Sequence, residues 1–233
     1  MKATKWRVMK WVIAPISLVV LAALTIFYAF NTTPSARKIA QRLQERLTRD
    51  QEIELALSAA PIHLRAQATV YVLEEGKYVK VREGSNGFSC LVVRFGNMVA
   101  PYAYDQEGSE TLMLADFRRA ELVRQGKTLQ EAQSILAGEF KSGKLSAPRR
   151  AGVAYMLSPE FVRYDTKTGE KTPVFPPHVM FYAPYVSNAD IGARPEHVGS
   201  PDHVYILNEG GPAAMFIVVP KSNPAMKEDQ TSH

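Results

Sequence analysis

A run of 20 residues without a charged side chain, Trp11 to Phe30, constrains this chain more than any other feature. It reads WVIAPISLVVLAALTIFYAF. Wound as a helix at 1.5 Å per residue, it spans about 30 Å, the thickness of a bilayer's hydrocarbon core. A helix satisfies every backbone polar group within the segment, as lipid cannot. Pro15 falls near the first turn, where a missing N–H costs little. Trp11, Phe27, Tyr28 and Phe30 stand at the two ends, where aromatic rings favour the membrane interface. A core helix of a globular domain is the ordinary alternative, but this run is apolar on all sides.

Basic residues flank the run on both sides: Lys2, Lys5, Arg7 and Lys10 before it, Arg37, Lys38, Arg42, Arg46 and Arg49 after it. Their count does not orient the helix. The short leader is the simpler part to leave in the cytoplasm, which predicts N-in, C-out. The run exceeds the usual h-region of a signal peptide, and Tyr28-Ala29-Phe30-Asn31-Thr32 is a poor cleavage site. An uncleaved anchor is therefore expected, with a secreted product if cleavage occurs. The expected order is a basic leader over 1–10, the anchor over 11–30, a juxtamembrane amphipathic helix over 31–60, a globular domain over 61–220 and a disordered tail over 221–233.

The net charge of +5 belongs to the membrane-flanking part. Residues 1–50 hold nine Lys/Arg against two Asp/Glu, and residues 51–233 hold 19 against 21. A domain without excess positive charge argues against nucleic acid as a partner. The flanking cations suit anionic head groups, so membrane lipid, met through the N-terminal helix, is the one partner the composition indicates. The single cysteine, Cys90, rules out an intramolecular disulfide.

Thr33-Pro34 reads as a helix start, and Ile39, Leu43, Leu47, Ile53 and Leu57 continue a stripe to about Ala59. Pro61 ends it. Ala68 to Leu73 and Tyr78 to Arg82 flank the hairpin signal Glu74-Glu75-Gly76-Lys77, and Phe88 to Arg94 follows a Gly-Ser-Asn-Gly turn. These three strands read as a meander. Pro101 to Asp105 reads as a loop. Ser109 is read as the cap of a helix over 110–125, and Thr128 with Glu131 as the capping box of a second, ending near Phe140. Four strands follow, over 152–157, 179–182, 204–207 and 214–219. The expected fold is α+β: a mostly antiparallel sheet of about six to seven strands, with helices on one face, preceded by an N-terminal transmembrane helix.

Three stretches, Asn86-Gly-Phe-Ser-Cys-Leu-Val92, Ala154-Tyr-Met-Leu-Ser-Pro-Glu160 and Pro176-Pro-His-Val-Met-Phe-Tyr-Ala-Pro-Tyr185, resemble a group of exported bacterial proteins of unknown function. The resemblance would cover most of residues 50–220. It implies a bacterial, extracytoplasmic protein, which together with the anchor gives an inner-membrane protein whose domain faces the periplasm, and it assigns no activity and no functional residue.

Four constellations bear on chemistry. Ser35-Ala-Arg-Lys38 and Lys167-Thr168-Gly169 fit two short motifs of penicillin-recognising serine enzymes, but Ser35 lies five residues from the apolar run and the middle S-D-N motif is missing. Cys90 with His178 or His203 as base, oriented by Asp105 or Asp202, would make a nucleophile, although Cys90 sits in an apolar strand where a thiol usually packs as a small hydrophobe. His178, His197 and His203 fall within 26 residues, yet without a fixed metal-ligand spacing. No metal and no cofactor is assigned on that basis. Tyr102, Tyr104 and Asp105, together with His178, Tyr182 and Tyr185, combine ring area with polar tips, as binding grooves do. The candidate binding residues are therefore His178, Tyr182, Tyr102, Asp105, Cys90 and His203. The leading expectation is a membrane-tethered binding or accessory domain for an unknown small-molecule or protein partner. The rival is a small envelope hydrolase using His178 with Cys90 or a metal.

Overall fold

The computed structural model describes residues 47–221. Residues 1–46 and 222–233, which hold the expected leader, the expected anchor, most of the stretch expected as a juxtamembrane helix and the expected tail, lie outside the described residues. Within them, no helix is long and apolar enough to cross a membrane. The fold is α+β, built on one mixed sheet of ten strands.

The chain enters at α1 (Arg49–Ser58), opened by a capping box in which Thr48 and Gln51 serve each other's backbone N–H. A short α2 (Ile62–Arg65) follows Pro61. Then come β1 (Thr69–Glu74), β2 (Lys77–Arg82), β3 (Ser89–Phe95) and β4 (Met98–Tyr104). Three helices follow: α3 (Gln106–Glu110), α4 (Leu112–Arg124) and α5 (Leu129–Lys141). The remaining strands are β5 (Val153–Met156), β6 (Val162–Tyr164), β7 (Lys171–Pro173), β8 (His178–Tyr182), β9 (Tyr205–Leu207) and β10 (Met215–Val218). The main path runs β2-β1-β3-β4-β5-β8-β10-β9, with the β6–β7 hairpin attached to β4.

Three expectations need correction. The first three strands are not a meander: β3 pairs with β1, in parallel, through Thr69↔Ser89 and Val70↔Cys90. The loop after β2 folds back over the start of β1, and only glycine fits at 84, where a Cβ would lie 2.2 Å from the Thr69 nitrogen. The strand count is ten because β4, β6 and β7 were not legible as strands. β4 carries Pro101 in its middle, at the point where its outer neighbour changes from β6 (at Met98 and Val99) to β5 (at Ala103 and Tyr104). A missing N–H there breaks no bond with either neighbour.

Helices also cover both faces, not one. Strand side chains alternate between faces. Val70, Cys90, Val92 and Ala103 meet Ala56, Ala59 and Ala60 of α1 and its end on one side. Leu91, Tyr102, Tyr104, Ala154, Met180 and Ile217 meet Leu112 and Met113 of α4 on the other. Small residues let α1 lie close to the sheet. Phe117 of α4 packs against the rings of Tyr71 and Tyr78, and α5 backs α4 through Ala132 and Leu136.

The β1–β3 seam opens after two residue pairs. Thr69 N–H donates to the Phe88 carbonyl. Stepping along both strands by two and two again would set Leu73 N–H against the Val92 carbonyl. Instead Leu73 N–H donates to Glu52 Oε1 at 2.9 Å, and the Val92 carbonyl accepts from Tyr78 Oη at 2.8 Å and Arg94 Nη1 at 3.3 Å. Side chains thus satisfy the backbone groups that the ladder leaves open.

Candidate functional site

Five of the six candidate binding residues are built into the frame. Cys90, Tyr102, His178 and Tyr182 are buried, and Asp105 is half-buried. Only His203 is exposed.

Cys90 and His178 do not meet. The register runs Cys90↔Ala103, Ala103↔Tyr155 and Tyr155↔Val179, which puts these four side chains on the α1 face. His178 is the neighbour of Val179 and points to the opposite face. The two residues are also three strands apart, about 14 Å at the usual strand spacing. Burial pushes the Cys90 thiol up to about 12, so it is not a thiolate at neutral pH. His178 Nδ1 lies 2.8 Å from the Pro176 carbonyl, and the ring stands edge-on to Phe175. Burial lowers its pKa, with the Pro176 bond opposing.

Tyr182 and Asp105 do meet. Tyr182 Oη is 2.9 Å from Asp105 Oδ1 and 2.8 Å from the Val153 carbonyl. Asp105 also caps α3 by accepting from Gly108 N–H at 2.9 Å, and it accepts from Val153 N–H at 2.9 Å. The helix expected over 110–125 with Ser109 as its cap is α4, which follows Thr111 without a side-chain cap; Asp105 caps the separate short helix α3 ahead of it. Two glycines make room, for a Cβ at 108 would lie 2.0 Å from Tyr182 Oη and one at 152 would lie 2.4 Å from Asp105 Oδ2. This joint holds the turn from β4 into α3. Tyr102 stacks on Tyr104, whose hydroxyl donates to Asp116 at 2.8 Å, and Asp116 in turn binds Arg119.

His203 stacks on His197 with ring centroids 4.2 Å apart and planes 5° from parallel. Stacked rings cannot both aim an in-plane nitrogen at one ion. His178 is buried, whereas His203 is exposed and His197 half-buried. Among the described residues no group of three or more His, Cys, Asp or Glu is arranged to hold a metal ion.

The open feature is elsewhere. A polar groove of about 620 Å³ lies between the loop after β2 and helix α3, on the α4 face of the sheet. Its floor is Thr69 and Tyr71 of β1 with Ser89 of β3. One wall is the loop from Glu83 to Gly87, the other is Gln106, Ser109 and Glu110 of α3 with Met113 beyond. Both walls are anchored. In the loop, Gly84 N–H donates to Thr69 Oγ1 at 3.0 Å, Ser85 N–H donates to the Gln67 carbonyl at 2.8 Å, and Asn86 Nδ2 donates to the Leu64 carbonyl at 2.8 Å. In α3, Asp105 closes the N-terminus and buried Glu107 accepts from Arg149 N–H at 2.7 Å and Arg150 Nε at 3.0 Å. The Arg149 amide leads the interactions that hold Glu107 below the usual carboxylate range.

A second groove, of about 360 Å³, runs between α1 and the β6–β7 hairpin, over Leu55, Val99, Val162 and Tyr164. In the sequence, residues 84–87 read as a turn and nothing more, which hides the polar groove. The signal was the density of hydroxyl and amide groups in Ser85, Asn86 and Ser89 beside a Gly-rich turn.

No protein-family model, no curated protein and no solved structure matches the chain.

Proposed function

We propose that the chain is a membrane-tethered extracytoplasmic binding or accessory domain, held at a bacterial inner membrane by residues 11–30 and facing the periplasm, with the polar groove as its ligand face. One observation carries the reading. The reactive residues Cys90, His178, Asp105 and Tyr182 are taken up in the frame, while a polar groove of about 620 Å³ with hydrogen-bonded walls stands open. A hydrolase would need a base beside a nucleophile, and the register sets Cys90 and His178 on opposite faces. The resemblance to exported bacterial proteins and the length and poor cleavage site of the apolar run support the location.

The test uses the full chain in detergent micelles. Envelope extracts fractionated into saccharides, peptides and lipid head groups are screened by calorimetry against the native chain and Ser85→Trp, which fills the groove from an exposed position. Binding of one fraction, lost in Ser85→Trp, supports the reading. Ester or amide turnover that disappears in Cys90→Ala or His178→Asn overturns it, and so does a screen in which no fraction binds.

A further inference from the structure

We infer that the polar groove takes a neutral, polyhydroxylated ligand, a stretch of glycan chain laid between the 83–87 loop and α3. This rests on the groove being the ligand face proposed above.

The charges of the lining point away from ionic ligands. They are Lys80, Glu83 and Glu110. The single cation is already committed, with Lys80 Nζ 2.7 Å from Glu83 Oε2. A phosphate or carboxylate ligand would need free Arg or Lys groups or open backbone N–H groups. Asp105 already takes the Gly108 N–H at the start of α3. An apolar ligand would leave the groove's oxygens and nitrogens dry and unpaired, which is costly.

The hydroxyls point toward a polyol. Ser89 is 7 % exposed, Tyr71 is half-buried and Ser85 is on the rim. None of these three hydroxyls hydrogen-bonds to a described residue. A hydroxyl donates and accepts at once, and so does each hydroxyl of a sugar. Ser89 is the most enclosed residue of the three, and its side chain lines the groove floor. Across the groove, Gln106 and Glu110 bond to each other, Nε2 3.1 Å from Oε1, and take no part in the contact, while Met113 offers an apolar surface to the C–H face of a sugar ring. The groove is open to solvent, and its hydrogen-bonded walls have little order left to lose on binding.

The experiment titrates the full chain in micelles with two neutral hexasaccharides, cellohexaose and chitohexaose, with pentalysine and with a trigalacturonate, by calorimetry and saturation-transfer NMR. The expected result is binding of a neutral hexasaccharide that ignores added salt, persists in Glu110→Gln, and weakens about tenfold or more in Ser85→Trp. Slow labelling of Cys90 shows that each variant is folded. Pentalysine binding that Ser85→Trp and Glu110→Gln both abolish, with no saccharide bound, overturns the glycan class and leaves the groove standing as a ligand face. Trigalacturonate binding alone overturns the charge argument. Saccharide binding indifferent to Ser85→Trp puts the ligand elsewhere and overturns the inference, as does silence from all four probes; the broader reading then stands or falls on the fractionated extracts.

Discussion

Arg94 meets Glu52 fork to fork inside the sheet, Nη1 2.9 Å from Oε1 and Nη2 2.7 Å from Oε2, with both side chains almost wholly buried. The pair joins α1 to β3 and fills the seam where β1 and β3 part. Arg94 Nε is left without a partner, so the geometry is good but incomplete. Removing one member strands a buried charge and should cost about 3–5 kcal/mol, whereas an apolar pair of similar volume can be neutral. Urea unfolding of Glu52→Leu, Arg94→Met and the double variant checks this. The double variant should be more stable than either single one, short of full recovery because Leu73 N–H loses its acceptor. Additive losses would show that the two side chains act independently.

Cys90 should behave as a packed hydrophobe. It is fully buried among Val70, Val92 and Ala103, and its thiol is pushed up to about 12. Iodoacetamide at neutral pH should label it only as fast as the domain opens, and at the full rate of a free thiol in denaturant. Rapid labelling of the native chain would contradict the packing.

How far the sequence reaches can be judged residue by residue. Local chemistry was legible. Thr128 and Glu131 form the capping box their spacing predicts, and Glu75 and Gly76 turn the β1–β2 hairpin with φ of 48° and 75°. Pairing decided at a distance was not. Nothing local tells β3 to lie beside β1, because the device that permits it is the contact of Gly84 with Thr69 across the fold. Pro101 read as a loop because a proline inside a strand is tolerated only where a neighbour is missing, and that gap is set by β5 and β6. β6 and β7, three residues each, are too short to show a period. For the site, residue type found the frame. Tyr182, His178 and Asp105, chosen for their chemistry, hydrogen-bond within the fold, and plainer serines and amides line the groove.

The Asp105–Tyr182 joint predicts a coupled pair of substitutions. Tyr182→Phe removes a bond to a carboxylate and should cost about 1.5–3 kcal/mol. Gly108→Ala inside a helix would ordinarily stabilise by up to about 1 kcal/mol. Here the new Cβ would meet Tyr182 Oη at 2.0 Å, so the sign reverses. Because the hydroxyl is the main obstacle, Gly108→Ala should cost less in the Tyr182→Phe background than in the native one. Thermal unfolding of the four proteins measures the coupling, and strict additivity would deny the contact.

Burial of His178 makes the domain acid-sensitive in a defined window. Its folded pKa lies below the unfolded value of about 6.5. Above about pH 6.5 the ring is neutral in both states and the stability is insensitive to it. Between about pH 6.5 and the lower folded value, the unfolded chain binds a proton that the folded chain refuses. Acidification through that window therefore favours unfolding, and stability rises again with pH. The carboxylates held below their usual range, Glu107 and Glu139 among them, lose their contribution only at lower pH, below about 4.3. His178→Asn separates the two, because its amide can reach the Pro176 carbonyl where Nδ1 now lies at 2.8 Å but does not titrate. Urea midpoints measured from pH 7.5 to pH 5 should fall for the native chain and stay flat for His178→Asn. Equal slopes in the two proteins would mean that the imidazole is as easily protonated in the fold as outside it.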